Sequence, residues 1–250
     1  LHLARALNRI SEQKLQAAAN AWRAALRDLP RPRIALIVGG NSSSYQLDPD
    51  TAARLGREAS EDARNTGGSL LISTTPRTPS EAAEALFAQI DVPAYRYRWQ
   101  PEDPRNPYFA FLALADRFIV TVDSASIPVE ACSTGKPVAV FEWPRRPSRT
   151  AWTSSLAERA PLRRLFQALI YWGLLKPARD FDAYHRILRE RGLVTRLGEP
   201  DRPRERDLED GLSLAVTRIR ELLGYPGAES DAPAGADGPG GMHGLSTAGR

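Results

Sequence analysis

Cysteine is nearly missing from this chain. Cys132 is the only one in 250 residues, which excludes an internal disulfide and a cysteine-built zinc cage. Histidine is almost as scarce. His2, His185 and His243 lie far apart, and no nucleophile motif accompanies them, so a Ser-His-Asp hydrolase is not indicated. Lysine is confined to Lys14, Lys136 and Lys176, although Lys and Arg together number 34. The net charge of +4 therefore comes from arginine. That pattern fits coding composition better than a nucleic-acid footprint, and no nucleic-acid partner is expected. No apolar run reaches the length of a membrane span, and no signal-peptide pattern is present. The chain starts at Leu1 rather than Met, so it reads as a fragment of something longer.

What is present centres on Phe118 to Phe141. Phe118 to Val122 is an apolar, β-branched run, as a buried strand requires. Asp123-Ser-Ala-Ser126 is small and polar, suited to a loop that opens a helix capped by Ser126. Pro128 fits the first helical turn, Gly135 the position just past the end, and Pro137 blocks continuation. Val138 to Phe141 is a second apolar strand. The unit is βαβ, and its helix start is an expected anion site. Glu130 falls about one turn inside that helix.

The same alternation runs from Arg33 onward. Ser11 to Leu29 has an apolar stripe at helical spacing, ended by Pro30 and Pro32. Arg33 to Val38 is a predicted strand, followed by the loop Gly39 to Ser44. A helix is predicted over Asp50 to Asn65, capped by Asp48 or Asp50. Ser69 to Ser73 is a strand, Thr74 to Pro79 a polar loop, and Ser80 caps a helix to about Ile90. Ala94 to Trp99 reads as a strand near an edge. Gln100 to Pro107 is a loop and Tyr108 to Ala115 a short helix. The fold class is therefore α/β, an open parallel sheet with helices on both faces. Residues 1–32 form a linker helix and 33–143 the α/β domain. Residues 144–224 form a helical extension, with helices at Pro161 to Leu175, Phe181 to Arg191 and Leu208 to Leu223. Residues 225–250, rich in Pro, Gly, Ala and Ser, read as a disordered tail.

Open parallel sheets take ligands at the carboxyl ends of their strands. Four loops fall there: Gly39 to Ser44, Thr74 to Arg77, Trp99 to Asn106, and Asp123 to Ser126. Gly39, Gly40, Asn41 and Ser42 are either a plain turn or a set of donors for a phosphate; they match neither a dinucleotide fingerprint nor a P-loop. Asp123, Ser124, Ala125 and Ser126 with Glu130 suit a diphosphate at the helix dipole and a carboxylate for a sugar diol. The plainer alternative is a cap and a solvated acid. Thr74, Thr75 and Arg77 offer hydroxyls and a guanidinium, or simply a turn. Trp99 and Tyr108 are base-stacking candidates or core. Asn106 is first a cap for the helix after it. Lys136 stands at the wrong end of its helix to meet a phosphate, and no metal site is expected. The helix at Pro161 to Leu175, flanked by arginines, either docks on the sheet or meets an anionic membrane.

Several segments together resemble a known family. Leu29-Pro-Arg-Pro-Arg-Ile-Ala-Leu-Ile-Val-Gly-Gly40, Ser73-Thr-Thr-Pro-Arg77, Asn106-Pro-Tyr-Phe109 and Ala115 through Pro137 look like the mitochondrial-fission (elongated-mitochondria) family, which has plant and bacterial members. The same pattern resembles the donor-binding half of GT-B glycosyltransferases. That resemblance implies a nucleotide-sugar donor such as a UDP-sugar, no cofactor and no metal. It places Gly39, Gly40, Ser124, Ala125 and Ser126 at the diphosphate, Glu130 at the ribose and the loop near Trp99 against the base. Pro128 and Val129 depart from the expected pattern before the glutamate. The acceptor, lipid-linked or polysaccharide, would be met by an N-terminal domain carrying the catalytic base, and that half is expected to be missing, leaving a fragment that binds but does not transfer. The resemblance also implies the rival role of a non-catalytic adaptor, recruiting a dynamin-like GTPase in plant relatives. The expected setting is cytoplasmic, either free or peripheral at the inner face of the membrane.

Overall fold

The computed structural model describes residues 10–146 and 181–201. Its frame is a six-stranded parallel sheet in the order β3-β2-β1-β4-β5-β6. The strands are β1 (Arg33–Val38), β2 (Ser69–Thr74), β3 (Ala94–Tyr97), β4 (Arg117–Thr121), β5 (Val138–Phe141) and β6 (Thr195–Arg196). All six residues of β1 and all six of β2 are buried. A strand covered on both faces needs an unbroken apolar run rather than alternation, and Ile34 to Val38 and Leu70 to Ile72 supply it. β1 lies between β2 and β4, pairing Ile34 with both Leu70 and Arg117.

The helices are α1 (Glu12–Trp22), α2 (Pro49–Asn65), α3 (Ser80–Ala88), α4 (Tyr108–Leu114), α5 (Ser126–Ser133) and α6 (Phe181–Glu190). From β1 to β3 the chain steps one way across the sheet; from β3 to β4 it returns past β1 and continues the other way. Right-handed crossovers then put α2 and α3 on one face and α4 and α5 on the other. The reversal leaves a crevice beyond the carboxyl ends of β1 and β4, where open α/β sheets bind ligands.

Local chemistry sets most boundaries. Asp48 Oδ1 accepts the Thr51 N–H at 2.7 Å and Pro49 opens α2, as an N-cap followed by proline should. That N–H holds the Asp48 carboxyl below its usual range. Gly135 adopts φ +74° just past α5, the left-handed conformation a glycine stop provides.

Several expectations need correction. α1 stops at Trp22 rather than Leu29, and residues 23–28 are turns. There the Arg27 and Leu29 N–H groups reach back only three residues, to the Ala24 and Leu26 carbonyls, as turns do, and the Arg27 and Leu29 carbonyls accept from the Arg33 guanidinium. Ser80 and Ser126 are the first residues of their helices, not caps; the cap positions are Pro79 and Ala125. Ser124 does that work for α5, its Oγ accepting the Ile127 N–H at 3.3 Å. β3 ends at Tyr97, not Trp99, because the Trp99 N–H turns to Thr74 Oγ1 at 2.8 Å. It is the edge strand, as its mixed composition predicts.

The sheet also takes a strand from beyond residue 144. β6 pairs with β5, matching Ala139 with Thr195. Leu188, Leu193 and Val194 are buried in the main core. His185 Nε2 meets the Val122 carbonyl at 2.9 Å and Tyr184 Oη donates to the Ala125 carbonyl at 3.0 Å, so α6 braces the loop that opens α5. Of the other predicted C-terminal elements, Pro161 to Leu175, Leu208 to Leu223 and the tail after Tyr225 lie outside the described residues. Among the described residues no helix is long and apolar enough to cross a membrane.

Lys136 has a structural task. Its Nζ donates to the carbonyls of Leu112 (3.0 Å) and Ala113 (2.7 Å), satisfying orphan acceptors at the end of α4. Burial lowers its pKa to about 8 from the ordinary lysine value. A folded-state pKa below the unfolded one means the unfolded chain binds more protons between those values. The stability that wild type holds over Lys136→Met is therefore expected to rise as pH climbs from about 8 toward 10.5. Paired urea melts across that window check it; a flat or falling difference contradicts it.

Candidate functional site

Three of the four rim loops converge on one cleft of about 440 Å³. From the end of β2 come Ser73, Thr74, Thr75, Pro76 and Arg77. Trp99 and Asn106 come from the loop after β3, and Tyr108 and Phe109 from the start of α4. Ser124, Ser126, Ile127 and Glu130 come from the start of α5. Of the sequence-derived site residues, Thr74, Thr75, Arg77, Trp99, Asn106, Ser124, Ser126 and Glu130 therefore share a wall. Gly39, Gly40, Asn41, Ser42, Asp123 and Ala125 do not line it.

The first loop sits behind the cleft, and its amides from Gly39 to Ser42 are already used. Gly39 N–H donates to Thr121 Oγ1 at 2.8 Å and Gly40 N–H to Asp123 Oδ2 at 2.9 Å. Asn41 N–H donates to the Arg77 carbonyl at 3.0 Å and Ser42 N–H to the Tyr45 carbonyl at 2.9 Å. The side chains turn inward too: Asn41 Oδ1 accepts from Leu47 N–H, and Ser42 Oγ from Tyr45 N–H. The phosphate-donor alternative for this loop thus loses its backbone donors to the fold itself. Glycine is required there for a different reason. A Cβ on Gly39 would stand 2.2 Å from Asp123 Oδ1, and one on Gly40 would stand 2.0 Å from the Arg77 carbonyl oxygen.

Asp123 is the pin at the switch point. Its side chain is fully buried, yet it is charged against Arg77, whose Nη1 lies 2.6 Å from Oδ2. A buried carboxylate without partners would be strongly unfavourable. Gly40 N–H and Arg77 supply them on Oδ2, while Oδ1 has no hydrogen bond among the described residues. Arg77 also reaches toward the carbonyls of Asn41 and Asp123 at 3.5 Å. Three loops are tied at this one carboxylate.

The start of α5, whose Ser124 and Ser126 line the cleft, keeps donors to spare. Among the described residues none accepts from the amides of Ala125 and Ser126, while Ile127 N–H is held by Ser124 and Pro128 has none. Glu130 stands on the next turn. Its Oε2 accepts a short hydrogen bond of 2.5 Å from Tyr108 Oη. Burial first, and the Glu130 charge second, push the Tyr108 phenol well above its usual range. Asn106 Oδ1 accepts the Tyr108 N–H at 3.0 Å, anchoring the start of α4 much as a cap would. Phe109 is 40% exposed at the cleft mouth. Among the described residues no cluster of His, Cys, Asp and Glu is arranged to hold a metal ion.

Sequence reasoning missed two links: the Arg77–Asp123 ion pair and the Tyr108–Glu130 bond. Both join residues far apart in the chain, so no local motif announces them. The nearest signal was that both members of each pair stand in rim loops or at helix starts facing the same end of the sheet.

A family model described as mitochondrial fission ELM1 matches residues 1–191. The chain belongs to this family. An Arabidopsis thaliana relative, the mitochondrial fission protein ELM1, is 36% identical over 135 residues, 54% of this chain and 31% of that one. An uncharacterized protein of Rickettsia prowazekii is 31% identical over 108 residues, 43% of this chain and 30% of its own length. The match thus spans about a third of the length of these two relatives. Among solved structures, the chain is similar to E. coli ADP-heptose LPS heptosyltransferase II, with a TM-score of 0.37 and 14% identity, over 57% of this chain and 41% of that one. A family 9 glycosyl transferase from Veillonella parvula gives a TM-score of 0.39 and 17% identity over 58% and 39%. Likenesses this loose decide nothing further about this ELM1-family chain.

Proposed function

We propose that this chain provides the donor-binding half of a GT-B-like glycosyltransferase site and takes a nucleotide-diphosphate sugar, such as a UDP-sugar, in the cleft. The supporting observation is one cleft that joins Ser124 and Ser126 at the α5 start, a carboxylate on the next turn and an aromatic wall, with the Ala125 and Ser126 amides unbonded among the described residues. The amides of Ala125 and Ser126, with the Ser124 and Ser126 hydroxyls, meet the diphosphate at the positive end of the helix. Glu130 accepts from a ribose hydroxyl, and Trp99 and Phe109 flank the base. Negative charge developing on a departing diphosphate is stabilised by the same helix start, with no step that calls for a metal. An acceptor, lipid-linked or polysaccharide, and contact with the inner face of a membrane belong to the same proposal.

Calorimetry with UDP, UDP-sugars and GDP tests it. Wild type is expected to bind, and Glu130→Ala to bind about tenfold more weakly, the worth of a hydrogen bond to a charged group. No binding by wild type sinks the reading; equal binding by Glu130→Ala removes Glu130 from it.

One observation favours a second reading, a non-catalytic adaptor whose nucleotide site is vestigial. Arg77, the one cation lining the cleft among the described residues, is already paired with Asp123, and the amides of Gly39 to Ser42 are bonded within the fold. In this reading the C-terminal region recruits a protein partner, a dynamin-like GTPase in the plant relatives. Partner capture by a chain lacking Pro161 to Leu223 counts against that region as the recruiter; because that deletion also removes α6 and β6 from the sheet and core, support comes only from loss of capture by a chain lacking Leu208 to Leu223 alone.

A further inference from the structure

We infer that Tyr108 is the positioning residue of the cleft: it fixes the Glu130 carboxylate so that Oε1 is presented to a single sugar hydroxyl. This rests on the nucleotide-sugar reading above and adds a residue to it.

A glutamate on a helix surface samples many rotamers, and freezing it on ligand binding costs side-chain entropy. Here the cost is met beforehand. Tyr108 Oη donates to Oε2 at 2.5 Å, whereas Oε1 has no hydrogen bond with any described residue. The donor is itself held in place. Its backbone N–H is bound by Asn106 Oδ1, and its ring packs edge-on against Phe109 with centroids 5.7 Å apart. The partners come from different helices, 22 residues apart, so the bond also sets the gap between the starts of α4 and α5. A phenol buried beside a carboxylate keeps its proton. Tyr108 therefore remains a donor throughout the neutral range.

A positioning role differs from a packing role in what it changes. Tyr108→Phe keeps the ring and its contact with Phe109 and removes only the hydroxyl, so the variant is expected to fold. If Tyr108 aims Glu130 at a ribose hydroxyl, its loss should matter only for ligands that carry that hydroxyl.

The test is calorimetry of wild type, Tyr108→Phe and Glu130→Ala, each with UDP and with 2′-deoxy-UDP. Wild type is expected to prefer UDP by about tenfold, as one hydrogen bond to a charged group would give. Glu130→Ala should show no preference. Tyr108→Phe should lose most of the preference while binding 2′-deoxy-UDP as wild type does. If Glu130→Ala loses the preference and Tyr108→Phe keeps it, the positioning role is overturned and the nucleotide reading stands. If Tyr108→Phe weakens both ligands equally, Tyr108 is a packing residue and the inference fails. If Glu130→Ala keeps the preference, Glu130 is not the ribose partner and the inference fails with it. If wild type binds neither ligand, both this inference and the reading beneath it are overturned.

Discussion

Gly40→Ala is expected to lose about 3 kcal/mol of stability, the upper end of the range for forcing a group into a packed site. The added methyl would lie 2.0 Å from the Arg77 carbonyl oxygen and 2.3 Å from its carbon. Both are backbone atoms, so no side chain can swing aside. Relief requires the loop after β2 to move away from the end of β1, which breaks the Asn41 N–H bond to that same carbonyl. It also strains the Gly40 N–H bond to Asp123. Gly67→Ala is the internal control. Gly67 has φ +66° but nothing within 4 Å of a would-be Cβ, so only the left-handed backbone penalty of about 1 kcal/mol applies. Urea denaturation of both variants checks the contrast; a Gly40→Ala loss no larger than that of Gly67→Ala contradicts the close approach.

Arg77→Met is expected to cost about 2 kcal/mol, less than the 3 to 5 typical of breaking a fully buried pair, because Arg77 is partly in water. Its side chain is 39% exposed, whereas that of Asp123 is fully buried. This asymmetry predicts which partner matters more. Removing the arginine strands a carboxylate that has no route to solvent. Asp123→Asn instead leaves a guanidinium that can turn outward, and Asn can still accept the Gly40 N–H. Arg77→Met should therefore be the more destabilising of the two by chemical denaturation. The reverse order would mean that Gly40 N–H, rather than Arg77, carries Asp123.

The parts of the fold that were legible in sequence are those written in one contiguous stretch. Arg33 to Val38 and Val138 to Phe141 are buried strands at their expected bounds, because an apolar β-branched run with a Gly or Pro stop admits little else. The gathering of Thr74 to Arg77, Trp99, Asn106 and Ser124 to Glu130 on one rim followed from the alternation of strands and helices. What stayed hidden was set by long-range competition for backbone groups. Ser124, not Ser126, is the acceptor at α5. Thr121 and Asp123 take the amides that a Gly-rich loop appears, in sequence, to offer a phosphate. β6 is two residues long, too short for any periodicity to mark it. A small-residue loop after a strand has the same composition whether its donors face a ligand or its own neighbours, and only the tertiary partners tell the two apart.

That distinction is also the most direct point of attack. Backbone amide shifts of isotope-labelled protein, followed during titration with UDP, report which amides meet a diphosphate. The predicted result is large, saturable shifts at Ala125 and Ser126 with Gly39, Gly40, Asn41 and Ser42 nearly unmoved. Shifts centred on the Gly39 to Ser42 loop, or none at the α5 start under saturating UDP, would contradict a donor site built on that helix.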